Sequence, residues 1–190
     1  MRVIGGERKG RRLLVPKGQA VRPTAARVKE SLFNILPHDF TGMKVLDLFA
    51  GTGNLSIEAL SRGAQHAVLV DRSARSAAVI RENLHRLGLT ARAEVWAAPV
   101  TRALKSLAKR GEIFDMIFLD PPYDQGMVEP SLNVLAQGIL LSAAGTVVAE
   151  HSRRDAVSRR YGPLVLHDQR RYGDTLLSFF KHETTINPDP

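Results

Sequence analysis

From Lys44 onward the chain alternates short, almost unbroken apolar runs with longer segments whose apolar residues recur at helical spacing. Val45 to Phe49, Ala67 to Val70, Ala91 to Trp96, Phe114 to Leu119 and Thr146 to Ala149 read as strands. Asn54 to Ser61, Ser73 to Leu87, Val100 to Arg110 and Val128 to Leu141 read as the helices between and around them. Strands without polar alternation are covered on both faces, and a helix between two strands is the connection a parallel pair requires. The expected fold is α/β, a Rossmann-like doubly wound and mostly parallel sheet. After residue 160 the pattern changes: Pro163 to Leu166 and Thr175 to Phe180 bracket a polar turn and read as a C-terminal antiparallel hairpin on one sheet edge.

The first forty residues follow a different plan. Arg2-Val3-Ile4 and Arg12-Leu13-Leu14-Val15 flank a glycine-rich basic turn, the pattern of a small hairpin with its charges at the tip. Thr24 is placed to cap a helix running to Leu36, with Val28, Leu32, Ile35 and Leu36 on its apolar face. The expected organisation is residues 1–40 appended to a domain of residues 41–183, with 184–190 a frayed tail. Charge divides the same way: residues 1–40 carry a net +6, residues 41–150 are neutral and residues 151–190 carry +2. A basic segment on a neutral body is the footprint of a polyanion binder, with Arg8, Lys9, Arg11 and Arg12 as candidate phosphate contacts.

Exclusions narrow the chemistry. The chain has no cysteine, which removes disulfide scaffolds, thiolate metal sites and cysteine nucleophiles, and its six histidines show no metal-ligand spacing. No metal is expected. No stretch approaches the roughly 20 apolar residues of a membrane span, and no signal-peptide pattern opens the chain, so the expectation is a cytoplasmic protein.

In a sheet of this kind ligands bind beyond the carboxyl ends of the strands, and three such ends carry unusual residues. Asp47-Leu48-Phe49-Ala50-Gly51-Thr52-Gly53 is a glycine turn that lets a ligand approach the backbone, but Ser56 stands where a third glycine would mark a nicotinamide or flavin site. Asp47, a charge inside an apolar strand, needs a partner: a ligand ammonium group or the loop's own N–H groups. Asp71, ending the second strand, is placed either to accept from ribose hydroxyls or to favour the helix that follows. Asp120-Pro121-Pro122-Tyr123 sets rigid carbonyl acceptors beside a carboxylate and an aromatic ring, a receptor for a planar group bearing an amine. His151, just after the fifth strand, is a further possible substrate contact.

Together the Asp47–Gly53 and Asp120–Tyr123 segments resemble motifs I and IV of S-adenosylmethionine-dependent methyltransferases that modify exocyclic amines of nucleobases. Arg22-Pro23-Thr24, the segment from Arg27 to Ile35, and Tyr172-Gly173-Asp174-Thr175 extend the likeness across nearly the whole chain to the bacterial 16S rRNA guanine-N2 methyltransferases acting on guanine 966. The resemblance implies a class I methyltransferase with S-adenosylmethionine held by Asp47, Phe49, Ala50, Gly51, Gly53, Asp71, Arg72, Ala97 and Ala98. Relatives often place an acid near Ala97, where this chain has none, so backbone contacts to adenine are expected there. It also implies catalysis by Asp120, Pro121, Pro122 and Tyr123, with RNA held by Arg8, Lys9, Arg11, Arg12, Arg22, Thr24 and Arg27. The expected partner is 16S rRNA or a 30S assembly particle, met by a monomer. A DNA adenine-N6 methyltransferase and a non-catalytic RNA-binding relic are the alternatives, and a nicotinamide oxidoreductase is more distant because of Ser56.

Overall fold

A computed structural model describes residues 1–15, 23–122, 125–138 and 140–183. The helix α1 (Pro23–Ile35) precedes five parallel strands, β1 (Lys44–Asp47), β2 (His66–Asp71), β3 (Ala93–Ala97), β4 (Phe114–Leu119) and β5 (Leu141–Ser152). Between them run α2 (Asn54–Ser61), α3 (Ala74–Leu87), α4 (Val100–Lys109) and α5 (Val128–Gln137). Three antiparallel strands follow: β6 (Arg160–Tyr161), β7 (Leu164–Tyr172) and β8 (Thr175–His182). The sheet order is β3-β2-β1-β4-β5-β8-β7-β6, so the winding reverses between β1 and β4.

Alternation along the strands divides the core in two. Val45, Met116, Phe118 and Val148 face α1, α2 and α3, whereas Leu46, Ile117, Leu119, Val147 and Ala149 face α4 and α5. Both layers are apolar, which is why these strands show no polar alternation. The first forty residues share this core: Val3, Leu13, Val28, Leu32, Phe33 and Phe40 all lie buried in the cluster on the α1–α3 face.

Several boundaries differ from the sequence expectation. The α1 helix starts at Pro23, so Thr24 lies in its first turn instead of capping it; a first-turn proline lacks only an N–H that has no helical partner. Ile35 is 40% exposed instead of core-facing. The fourth connecting helix stops at Gln137 because Gly138 adopts an extended conformation, and buried Leu140 and Leu141 lead into β5. That strand is longer than its apolar centre and includes His151, which is buried rather than open to a substrate. Its Nε2 lies 2.8 Å from Ser178 Oγ, and burial pushes its pKa down. The N-terminal hairpin is short: around the Arg2–Arg12 bridge, Val3 N–H donates to Arg11, Gly10 N–H to Val3 and Leu13 N–H to Met1 (2.8–3.1 Å), and its turn holds a 3₁₀ segment at Gly6–Arg8. The tail of residues 184–190 lies outside the described residues.

Candidate active site

The turn after β1 lies at the reversal of strand order, where an open sheet leaves a crevice. Gly51 and Gly53 both hold positive φ, +55° and +77°. They need glycine for different reasons. A Cβ on Gly53 would press on Leu69, Ile57 and Ile80 at 3.1–3.4 Å, so this residue seats the turn on the core. A Cβ on Gly51 would meet only the Phe49 carbonyl, at 4.0 Å, leaving the backbone open on that side. Ala50 N–H donates to the Val70 carbonyl (2.9 Å), and Phe49 packs partly buried against the α4–α5 core.

Asp71 braces this turn. One carboxylate oxygen accepts from Gly51 N–H at 2.9 Å and the other from Ser73 N–H at 2.8 Å, just before Ser73 caps α3. Each oxygen keeps a further lone pair for a ligand hydroxyl. Exposed Arg72 follows. At the end of β3, Ala97 is exposed, and Ala98 N–H donates to the Asp71 carbonyl (3.0 Å). Trp96 packs against the α4–α5 layer with the Arg110 guanidinium 4.7 Å above its ring.

Asp47 is buried beneath the turn. Ser56 donates its hydroxyl to one carboxylate oxygen at 3.1 Å, while the other has no hydrogen-bond partner among the described residues. Burial raises its pKa to about 7 against the opposing hydrogen bonds from Ser56 and Phe49. The serine that replaces a third glycine is therefore the partner of the buried acid.

At the end of β4 stand partly exposed Asp120, buried Pro121 and exposed Pro122. The pairing of Leu119 with Ala149 brings Asp120 beside Glu150 of β5. Strand alternation turns Asp47, Asp120 and Glu150 toward the same face. Burial, then the negative charges of Glu150 and Asp47, hold the Asp120 carboxyl well above the usual carboxylate range. Tyr123 lies outside the described residues, as does Arg22.

The basic candidates separate. Gly5–Arg8 packs on Ser61, the last residue of α2, and Arg8 Nε donates to the carbonyl of Leu87, the last residue of α3. Both helices start near the carboxyl ends of their strands, so the tip with Arg8 and Lys9 lies at the opposite end of the sheet. Lys9, Arg11 and Arg12 are exposed there or along the hairpin. Arg27 is exposed on the site side, since Lys29 two residues on reaches Asn54 at the start of α2.

Sequence reasoning missed the polar groups that lock the N-terminal segment to the turn. Fully buried Glu58 accepts from Ile4 N–H, Gly5 N–H, Lys29 Nζ and Arg62 Nε at 2.7–3.0 Å. Buried Asn83 accepts from Leu14 N–H (2.7 Å) and donates to the carbonyls of Leu14 and Thr52 (both 3.1 Å). A glutamate and an asparagine within amphipathic helices gave no signal beyond their polarity.

Comparison with known proteins covers the whole arrangement. A family model described as conserved hypothetical protein 95 matches residues 1–181. The chain is 42% identical over 181 residues to YlbH of Bacillus subtilis strain 168, provisionally named an rRNA methyltransferase, covering 95% of this chain and 98% of the relative. It is 31% identical over 189 residues to ribosomal RNA small subunit methyltransferase D of Escherichia coli K12, covering 100% and 93%. A solved structure of an Escherichia coli protein, yhhF, provisionally titled a methyltransferase, superposes with a TM-score of 0.81 at 32% identity, covering 96% of this chain and 98% of that one.

Proposed function

The chain belongs to the conserved hypothetical protein 95 family, and from that premise we propose that it methylates the exocyclic N2 amine of a guanine in 16S rRNA, using S-adenosylmethionine. The observation that carries the reading is the pairing of a ligand-ready turn at β1 with an acceptor cluster at the end of β4. The residues at the turn fit the cofactor. Gly51 leaves its backbone open, buried Asp47 has an oxygen ready for an ammonium group or its bound water, and Asp71 retains acceptor capacity for ribose hydroxyls. Phe49, Ala50, Arg72, Ala97 and Ala98 complete the proposed contacts, those to adenine coming from backbone because the end of β3 has no acid. When bound, the cofactor supplies an electrophilic methyl group on a sulfonium.

The remaining chemistry belongs to the chain. The N2 lone pair of guanine is delocalised into the ring and is a poor nucleophile. Asp120 and the Pro121 carbonyl accept the two amine hydrogens, which favours a pyramidal nitrogen with its lone pair out of the ring plane. Pro121 and Pro122 hold those acceptors stiffly and add no competing N–H. Because its carboxyl is raised, Asp120 is a stronger base than an ordinary aspartate and suits transient custody of the proton released on methylation. Tyr123 supplies the aromatic surface on which a base taken from its stack would lie.

The substrate assignment draws on the names of the relatives and on the positive charge of the chain. Arg22, Thr24 and Arg27 are proposed to hold RNA near the target, with Lys9, Arg11 and Arg12 reaching phosphates farther away and Arg8, tied to Leu87, contributing least. A monomer acting in the cytoplasm on an assembling 30S particle fits this reading; among the described residues, no helix is long and apolar enough to cross a membrane. The test is transfer of radiolabelled methyl from S-adenosylmethionine to 30S particles, naked 16S rRNA and duplex DNA, with nucleoside analysis. The expected product is N2-methylguanosine in RNA, lost in Asp120→Ala. Label confined to N6-methyladenine in DNA overturns the substrate assignment.

A further inference from the structure

Glu150 belongs to none of the motifs that point to the active site, yet the fold sets it beside the proposed catalytic acid. The parallel register pairs Leu119, the last residue of β4, with Ala149, so Asp120, which follows β4, comes beside Glu150 of β5. Val148 faces the α1–α3 layer while Val147 and Ala149 face the other, which turns Glu150 to the side taken by Asp120. Glu150 is partly exposed, and its charge acts on the Asp120 carboxyl.

Two adjacent carboxylates suit one purine edge better than another. Guanine presents two kinds of donor side by side, the N2 amine and N1–H. Adenine presents an amine beside an unprotonated N1, which is an acceptor. An ionised carboxylate has only acceptor sites and repels an acceptor placed against it. We infer that Glu150 is a specificity-determining residue that accepts the N1–H of the target guanine while Asp120 engages N2, so that purines lacking N1–H are refused. This inference rests on the guanine reading above and goes beyond it by assigning the neighbouring ring position to a named side chain. A site built around a substrate hydrogen bond discriminates strongly against an analogue lacking it, because the acceptor that the docked base covers is then left unmatched.

The probe is 2-aminopurine, which keeps the reactive amine and has an acceptor at N1. The full chain is assayed with rRNA, in its active substrate form, carrying either guanine or 2-aminopurine at the methylated position. Wild type is expected to favour guanine by about 100-fold or more in kcat/KM. In Glu150→Gln the amide can donate to the analogue, so the preference should narrow by at least ~10-fold with cofactor affinity unchanged within about twofold. Should that variant fail to fold, Glu150→Ala is measured on the same pair and must also narrow the ratio. Equal loss on both substrates makes Glu150 merely structural and overturns the inference, as does a wild-type enzyme indifferent to N1. If wild type methylates no guanine at all, the broader reading fails first and this one with it.

Discussion

At the end of β2, Asp71 has both oxygens tied to backbone N–H groups, Gly51 at 2.9 Å and Ser73 at 2.8 Å, whereas at the end of β4 Asp120 faces the charges of Glu150 and Asp47. The first carboxylate is part of the scaffold: it fixes the turn before any ligand arrives. The second is held in a place where its charge is opposed, and donors from a substrate would relieve that opposition. In the proposed reading, a rigid half for the cofactor adjoins a half whose electrostatics favour an amine-bearing substrate. A braced carboxylate and one opposed by like charges serve different ends, and the fold puts them on different strands.

The sharpest way to break the comparison is Asp120→Ala, expected to lower kcat by about 10²–10⁴-fold in single-turnover methyl transfer. Cofactor affinity should hold, because Asp120 is outside the turn. A comparable loss of cofactor binding would erase the division between the halves.

Asp47 gives a second, pH-resolved test. Its folded pKa of about 7 lies above the ordinary 3.8, so between those values the folded state binds more protons than the unfolded one. Stability should fall as pH rises through that window, with a slope of at most about 1.4 kcal/mol per pH unit from this group. Urea titrations from pH 4 to 7 should show a shallower decline in Asp47→Asn. Because an ammonium partner favours the ionised form, cofactor binding near pH 6.5 should also release protons, read calorimetrically in buffers of different ionisation enthalpy.

Asp71→Asn comes next. An amide retains one acceptor oxygen, so one of the two braced N–H groups loses its partner, and cofactor affinity should fall by about 10-fold by titration calorimetry. The smallest effect is expected from Arg8→Ala. Its guanidinium is already bonded to Leu87 at the far end of the sheet, so RNA affinity should change by less than about threefold. Arg27→Ala should weaken RNA binding more and reduce the salt slope by about one.

Legibility in the sequence followed the kind of force at work. The bounds of α2 and β4 match the expectation residue for residue, since each is a dense apolar segment between strong breakers. β5 extends well past its apolar centre, because Ala143 and Ala144 are exposed and its pairing beyond Val147 and Val148 depends on β8. The places of the glycine turn, of Asp71 at the end of β2 and of Asp120 after β4 were readable because backbone geometry and charge burial demand particular residue types. Ser56, Glu58, Asn83 and Glu150 were not: each becomes informative only when a distant partner is brought beside it. The hairpin charges were legible as charges, but their position at the far end of the sheet depended on buried Glu58 capturing Ile4 and Gly5.

The locked N-terminal segment also sets a timetable. Residues 1–15 leave the ribosome before the partners that lock them to the domain, since Ile4 awaits Glu58, Leu14 awaits Asn83 and Arg8 awaits Leu87. At about 5–20 residues per second, translation takes several seconds to supply the last of these. Throughout that interval the core that Val3 and Leu13 enter is incomplete, and the nascent chain carries a basic apolar strip beside ribosomal RNA. Docking of this strip closes the α1–α3 layer and is a natural late step in folding, one that hydrogen exchange on stalled nascent chains of increasing length would time directly.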